Sequence, residues 1–178
     1  MNIPNALTLL RIILVPVIVI FLIDGDYPGA MIVFIVAGIT DGLDGFLARV
    51  LRQKTMLGAY LDPLADKALL VSSFITLSIL GIIPGWLAVI VISRDMVILL
   101  GISLLFIMSV SFDVKPAFIS KVTTLFQILT VLLALMSKSF PLFMNYGVVE
   151  VLFWMTAIVT VISGFHYLFR GIKFINVI

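Results

Sequence analysis

The chain has 178 residues, of which 63% are hydrophobic and only 11% are charged, and its mean hydropathy is +1.33. Soluble domains are usually about 45–50% apolar and about 25% charged, and a chain this short cannot bury such an apolar excess in one water-exposed core. Composition therefore excludes soluble and disordered proteins and indicates a protein of the lipid bilayer. The lack of cysteine and the single histidine exclude disulfide frameworks, thiolate centres and multi-histidine metal sites. A net charge of +2 gives no indication of nucleic-acid binding, so we expect no nucleic-acid partner.

Six apolar segments of roughly the length that spans a bilayer follow one another along the chain. They cover approximately residues 6–23, 30–50, 57–80, 85–108, 118–136 and 148–169. Turn-forming Asp, Gly, Pro and Ser residues separate most of them, in 24–29, 81–85, 113–116 and 137–141. The runs are continuous, unlike the short alternating strands of a barrel. The prediction is an all-α fold, a six-helix transmembrane bundle forming one domain over 1–178.

The first segment carries local signals of its own. Asn5 is a candidate N-cap, with Pro4 before it, and Pro16 predicts an interruption or kink. Residues 1–5 have neither the basic region and cleavage site of a secretory signal nor an Arg-rich transit sequence.

Basic residues predict the orientation, because Lys and Arg accumulate in the short cytoplasmic loops of membrane proteins. One predicted side collects Arg11, Arg49, Arg52, Lys54, Lys115, Lys121, Arg170 and Lys173. The other side has Lys138 alone, with Asp24 and Asp26 in its first loop. Both termini are therefore expected in the cytoplasm.

Four of the nine acidic residues interrupt the second and third apolar segments. They are Asp41, Asp44, Asp62 and Asp66. The first two are spaced i, i+3 and the last two i, i+4, so each pair lies on one face of its helix. The two helices are joined by a short loop, which predicts that the four carboxylates meet near the cytoplasmic surface.

Four carboxylates in a low-dielectric environment repel one another unless cations join them. Hard divalent ions prefer oxygen ligands, and Mg²⁺ or Mn²⁺ fits best and also binds substrate phosphates. The structural alternative pairs each aspartate with Lys67, Arg49 or Arg94. The functional interpretation is favoured, because four aimed carboxylates are rare in membrane spans.

Small residues and one arginine flank the carboxylates. Gly45 and Ala48 leave room for a ring or phosphate to approach the backbone, although close helix packing explains them as well. Arg49 has a planar fork that suits a phosphate, and the cytoplasmic bias of basic residues is its alternative explanation.

The stretch from Asp41 to Asp66 resembles the motif of the CDP-alcohol phosphatidyltransferases. That motif reads Asp-x-x-Asp-Gly-x-x-Ala-Arg, eight residues, then Gly-x-x-x-Asp-x-x-x-Asp. Its fixed positions are all filled here, by Asp41, Asp44, Gly45, Ala48, Arg49, Gly58, Asp62 and Asp66. The opening Asn5-x-x-Thr8-x-x-Arg11 and the six-helix layout are also similar to this family.

The resemblance implies that a phosphatidyl group moves from CDP-diacylglycerol to an alcohol and that CMP is released. Asp41, Asp44, Asp62 and Asp66 would hold two Mg²⁺ or Mn²⁺ ions, and Asp66 would also be the base for the acceptor hydroxyl. Gly45, Ala48, Arg49 and Gly58 would line the CDP site. The resemblance also implies a homodimer. We expect an integral protein of a bacterial inner (cell) membrane, with its active site at the cytoplasmic face.

Arg94 and Lys121 are the candidate ligands of an acceptor phosphate, and snorkelling toward the surface is the alternative explanation for both. Their surroundings resemble the glycerol-acceptor branch of the family. In phosphatidylglycerophosphate synthases, basic residues stand where this chain has Ile102 and Thr123. A phosphodiester carries less charge than a phosphomonoester and needs fewer cations. Phosphatidylglycerol is therefore the favoured acceptor, and glycerol 3-phosphate is the alternative.

Two other classes of function remain open from the sequence. A divalent-metal transporter would also place carboxylates inside the membrane, and Asp95 and Glu150 are the residues that would continue an ion path. A purely structural membrane subunit would tolerate alanine at all four aspartates.

Overall fold

A computed structural model describes the backbone of residues 3–50, 56–107, 118–142 and 146–175 and the side chains of 7–42, 65–101, 118–142 and 147–169. Within these ranges the chain forms six α-helices and no strand. They are α1 (Ile3–Ile23), α2 (Tyr27–Val50), α3 (Met56–Ile79), α4 (Gly85–Ile107), α5 (Phe118–Ser139) and α6 (Tyr146–Ile175). The prediction of an all-helical chain with six helices is confirmed.

The beginning of α1 differs from the prediction. Asn5 lies inside the helix, so its assignment as N-cap is wrong. The physical reason is Pro4, which is tolerated in the first turn of a helix because the N–H that it lacks has no partner there. Pro16 also lies within one continuous α1, so it does not end the helix, and a kink at Pro16 stays a prediction.

Two of the predicted breaks between helices are glycine-based turns. Gly25, in the turn after α1, has a φ of 76°, and Gly81, in the turn after α3, has a φ of 69°. In each turn the amide after the glycine donates to a carbonyl five residues back, Asp26 to Phe21 and Ile82 to Leu77, both at 2.9 Å. This is the Schellman arrangement, which satisfies the last carbonyls of a helix and requires a residue with positive φ.

The next helices begin immediately after these turns. The Asp26 carboxylate accepts a hydrogen bond from the amide of Gly29 at 3.0 Å and so caps α2. The carbonyl of Pro84 accepts from the amide of Leu87 at 3.0 Å at the start of α4. Hydrogen bonds within the short 24–26 and 80–84 connections therefore satisfy backbone groups at the ends of α1 and α3 and at the starts of α2 and α4.

The chain divides into two compact units. The first contains residues 1–82 and 131–145, and the second contains 83–130 and 146–178. In the first unit, α1 packs against both α2 and α3. Its buried apolar side chains recur at helical spacing, with Ile18 and Leu22 on α1, Ala30, Phe34 and Ala37 on α2, and Leu70, Phe74 and Leu77 on α3.

The second unit is built on α4, α6 and the first part of α5. α4 packs against α6, with Leu87 and Val91 of α4 and Phe153 of α6 fully or almost fully buried. The rest of its interior is unusually polar. The buried polar and charged side chains of this unit are Arg94, Asp95, Thr123, Gln127, Thr130, Thr156, Thr160 and Ser163.

The outward surface is apolar. Among the described side chains, large aliphatic residues such as Ile13, Ile32 and Ile79 are 60% exposed or more. Soluble monomers rarely show large continuous apolar patches, so this distribution is typical of a protein surrounded by lipid. By length and apolar composition, the described parts of α5 (Phe118–Ser139) and α6 (Gly147–Phe169) are candidate membrane spans. Leu7–Ile23 and Tyr27–Gly42 are shorter apolar helices.

Candidate functional site

The four predicted carboxylates lie on α2 and α3, in the first unit. Helical backbone at both pairs supports the i, i+3 and i, i+4 spacing that puts each pair on one helix face. The side chains of Asp41 and Asp66 are described, whereas those of Asp44 and Asp62 lie outside the described residues. The same is true of the predicted donor-site residues, Gly45, Ala48, Arg49 and Gly58, of which the structure describes the helical backbone alone.

Asp41 forms an ion pair with Arg11 of α1. The distance between Arg11 Nη1 and Asp41 Oδ1 is 2.6 Å, and the arginine side chain is 0% exposed while that of the aspartate is 48% exposed. A guanidinium loses much hydration on burial, so a carboxylate partner is what makes its position tolerable. One oxygen of Asp41 therefore contacts the buried guanidinium of Arg11, and about half of the Asp41 side chain remains accessible.

Arg11 is a functional candidate that sequence reasoning missed, because it was assigned to the cytoplasmic surface charge. It is instead fully buried, one helical turn from the fully buried Thr8. The available signal was the opening Asn5-x-x-Thr8-x-x-Arg11, whose last two polar residues share a helix face. What the sequence did not reveal is that this face meets Asp41, thirty residues later.

The described carboxylates fit a hard divalent cation. Asp41 and the half-buried Asp66 supply charged oxygen donors, which are the ligands that Mg²⁺ and Mn²⁺ prefer. Among the described side chains, no three acidic or histidine residues are grouped, and the other two predicted ligands lie outside that set.

Arg94 is the centre of a second charged cluster, in the second unit. Its Nη1 lies 2.7 Å from Asp95 Oδ1, and both side chains are 4% exposed. Its Nη2 donates to Ser120 Oγ of α5 and to Ser163 Oγ of α6, each at 2.8 Å. The guanidinium also lies 5.7 Å from the centre of the Tyr167 ring, which is within cation–π range. Arg94 therefore connects three helices.

The two predicted acceptor cations have different environments. Arg94 is buried and already engaged by a carboxylate and two hydroxyls. Lys121, the neighbour of Ser120 on α5, is exposed. The methylene stem of Arg94 lies beside Gly164, where an added Cβ would be 3.6 Å from Arg94 Cγ. The alternative explanation that Arg94 snorkels toward the membrane surface is therefore wrong, because its guanidinium is buried among polar groups of the second unit.

Hydroxyl groups connect α5 to α6 below this cluster. The hydroxyls of Thr130 and Thr156 share a hydrogen bond of 2.7 Å. The Thr123 hydroxyl donates to the carbonyl of Ile119 of its own helix at 2.8 Å. It also lies 3.5 Å from the carbonyl oxygen of Val159 of α6. These hydroxyl contacts were readable in part from the sequence, because Ser and Thr recur at helical spacing on both helices.

Comparisons with known proteins agree with the motif. The family model for CDP-alcohol phosphatidyltransferase matches residues 1–162. The chain is 35% identical to the human protein named cardiolipin synthase (CMP-forming), over 99% of this chain and 64% of that protein. It is 36% identical to a probable phosphatidylglycerophosphate synthase of Mycobacterium tuberculosis, over 97% of this chain and 82% of the relative.

A third relative has nearly the same length. The chain is 32% identical to the CDP-diacylglycerol--glycerol-3-phosphate 3-phosphatidyltransferase of Bacillus subtilis, over 93% of each chain. By contrast, it spans about 64% of the length of the mammalian cardiolipin synthases that it matches. Family membership rests on the domain match over most of the chain and on these identities above 30%. The chain therefore belongs to the CDP-alcohol phosphatidyltransferase family.

Proposed function

We propose that this protein transfers the phosphatidyl group of CDP-diacylglycerol to a glycerol-type acceptor and releases CMP. The observation that carries the proposal is the complete motif from Asp41 to Asp66, placed on two helices of one unit, with Asp41 held by the buried Arg11. The reaction breaks the bond from phosphorus to the CMP oxygen and forms a bond to the acceptor oxygen, whose proton goes to a base.

The carboxylates have separate roles in this proposal. Asp41, Asp44, Asp62 and Asp66 would hold two Mg²⁺ or Mn²⁺ ions, and Asp66 would accept the proton of the acceptor hydroxyl. Bound metal would neutralise charge on the phosphates and orient them for in-line displacement. Gly45, Ala48, Arg49 and Gly58 are assigned to the cytidine diphosphate group of the donor. Arg11 fixes one oxygen of Asp41 and leaves the remainder of that side chain accessible.

Phosphatidylglycerol is the favoured acceptor, with glycerol 3-phosphate as the alternative. Arg94 and Lys121 are assigned to the acceptor phosphate. Thr123 stands where the glycerol-3-phosphate branch carries a basic residue, and here it is fully buried and bonded to backbone carbonyls. One cation fewer favours the singly charged phosphodiester over a phosphomonoester. Names of both kinds occur among the relatives, so the acceptor needs a direct test.

The membrane arrangement is part of the proposal. We infer one domain with six membrane spans, both termini in the cytoplasm, and an active site at the cytoplasmic face of a bacterial inner (cell) membrane. The apolar exposed surface and the concentration of Lys and Arg in alternate loops support this arrangement. A homodimer is proposed on the family resemblance.

An ion path through the protein has little support among the described residues. Asp95, one of the two acids that would continue such a path, is buried against Arg94 at 2.7 Å. Glu150, the other, is exposed on α6. A transporter needs polar groups that follow one another across the membrane. Here the charge of Asp95 is neutralised by Arg94, and Glu150 lies at the surface.

Purified protein in lipid nanodiscs tests the proposal. It is given CDP-diacylglycerol, Mg²⁺ or Mn²⁺, and either phosphatidylglycerol or glycerol 3-phosphate, and CMP and lipid products are measured. We expect CMP release with an acceptor, more efficiently with phosphatidylglycerol, and a rate lower by about a hundredfold or more for Asp66→Asn. Failure to release CMP with both acceptors would contradict the transferase assignment. Efficient use of glycerol 3-phosphate, with phosphatidylglycerol inert, would reverse the acceptor preference alone.

A further inference from the structure

Between Arg94 and the Thr130–Thr156 pair, buried polar atoms of α5 and α6 lack hydrogen-bond partners. Both amide atoms of Gln127 and the hydroxyl of Thr160 are fully buried, and the part of the chain that the structure describes offers them no partner. Arg94 Nε is in the same condition. Unsatisfied buried polar groups are uncommon in native proteins, because they normally bind a ligand or an ordered water.

Gln127 and Thr160 belong to the same layer of the α5–α6 interface. Ser120 and Ser163 both bind Arg94 Nη2, and Thr130 binds Thr156, so the two helices run antiparallel. Gln127 is three residues from Thr130 toward Ser120, and Thr160 is four residues from Thr156 toward Ser163. At about 1.5 Å per residue, both lie roughly 5 Å from the threonine pair on the Arg94 side.

The chemistry of this layer selects a hydroxyl group. The Gln127 amide offers both donors and an acceptor, and the Thr160 hydroxyl can donate and accept. A phosphate oxygen at neutral pH would use the donors alone, and a metal ion would use the acceptors alone. A ligand hydroxyl satisfies both kinds of group, and the remaining donor of Arg94, its Nε, suits a phosphate oxygen of the same molecule.

We propose that Gln127 and Thr160 bind the non-reacting hydroxyl of the acceptor's glycerol moiety. This inference rests on the proposed function and adds the group that would make glycerol the recognised alcohol. In glycerol 3-phosphate and in phosphatidylglycerol, that hydroxyl stands on the central carbon, between the reacting primary alcohol and the phosphate. Phosphorus and the central oxygen are about 4–5 Å apart in such a molecule. That distance is close to the rise of about 4.5 Å along α6 from Ser163, which binds Arg94, to Thr160.

Burial of the site has a consequence for the reaction. A headgroup bound against the fully buried Gln127 and Thr160 is out of contact with bulk water. Exclusion of water protects an activated phosphoryl donor from hydrolysis, which competes with transfer to the acceptor.

Paired acceptors, with and without the central hydroxyl, provide the test. The pairs are glycerol 3-phosphate with 1,3-propanediol monophosphate, and phosphatidylglycerol with its propanediol analogue, at saturating CDP-diacylglycerol. With the pair that it uses, wild-type protein should prefer the glycerol compound about tenfold or more in kcat/KM. Gln127→Met keeps the shape and removes the amide, so it should abolish most of this preference and leave KM for CDP-diacylglycerol unchanged.

Thr130→Val is the matched control, because Thr130 is in the adjacent layer and is already paired with Thr156. It should keep the preference. Thr160→Val serves as a second variant of the site in case Gln127→Met does not fold. The proposed site would be overturned if the active wild type did not prefer the glycerol acceptor over its propanediol analogue, or if both site variants kept that preference. Bound water would then be the partner of Gln127 and Thr160. A wild type that uses no glycerol acceptor would instead refute the proposed function, and the site with it.

Discussion

At the scale of single residues, the proposed chemistry depends on Asp41 and Asp66. If they hold metal, Asp41→Asn or Asp66→Asn should lower the rate of CMP release by about a hundredfold or more, since a neutral amide is a poor ligand and a poor base. Asp66→Asn should keep wild-type stability, because Asp66 is half-buried. Asp41→Asn should fold with lower stability, because its neutral amide is a weaker partner than a carboxylate for the buried Arg11. The measurement is CMP release from CDP-diacylglycerol, alongside thermal unfolding in detergent.

Asp24→Asn is the control for these variants, since Asp24 is an exposed acid in the α1–α2 turn. It should retain wild-type rates. A chelator should abolish activity, and added Mg²⁺ or Mn²⁺ should restore it. Full activity in chelator, or in either aspartate variant, would contradict the metal assignment.

Arg11 acts, in our interpretation, by positioning Asp41. Arg11→Met removes the 2.6 Å ion pair and lets the carboxylate rotate, so we expect metal-dependent turnover to fall about tenfold or more, as when outer-shell partners of metal ligands are lost. Arg11→Lys keeps the charge and should recover part of the loss. The measurement is the Mn²⁺ concentration for half-maximal rate together with direct Mn²⁺ binding. Unchanged Mn²⁺ binding and rate in Arg11→Met would assign Arg11 to packing alone.

At the scale of elements, Arg94 pairs with Asp95 of its own helix and joins α4 to α5 and α6 through Ser120 and Ser163. Removing one partner of a buried pair leaves an uncompensated charge and costs about 3–5 kcal/mol, whereas removing both costs much less. Asp95→Leu should therefore lower stability more than the double variant Arg94→Met with Asp95→Leu. The measurement is thermal unfolding in the same detergent. If the double variant is less stable than Asp95→Leu, Arg94 stabilises the unit mainly through groups other than Asp95.

The helices themselves were predictable from the sequence, because apolar runs end at strong breakers. Gly25 and Gly81 adopt positive φ where the sequence placed turns. The carboxylate spacing was equally readable, since it depends on helix geometry alone. The partner of Asp41 was not, because the pairing of α1 with α2 is a tertiary contact and Arg11 is thirty residues away. The helical spacing of Ser and Thr on α5 and α6 was readable as well, but which of these residues meet is again a tertiary contact.

At the scale of the whole molecule, polarity is reversed relative to a soluble domain. Large apolar side chains such as Ile23 and Ile79 are exposed, whereas Arg11, Gln127 and Thr160 are fully buried. Lipid offers no hydrogen bonds, so polar side chains are driven inward to satisfy one another or a ligand. The buried Arg11, Arg94, Gln127 and Thr160 of our proposals follow this rule, and the proposed orientation depends on the basic residues of the loops.

Single cysteines test that orientation. Gln53 lies in a predicted cytoplasmic loop, and Phe140, which is 46% exposed, directly follows α5. A membrane-impermeant thiol reagent should therefore label single cysteines at these two positions from opposite sides of sealed vesicles. The chain has no native cysteine to give background labelling. Cysteine at the fully buried Ser163 should remain unlabelled from either side until detergent and denaturant are added. Labelling of the Gln53 and Phe140 positions from the same side would contradict the six-span arrangement, because an odd number of spans must separate the second loop from the fifth.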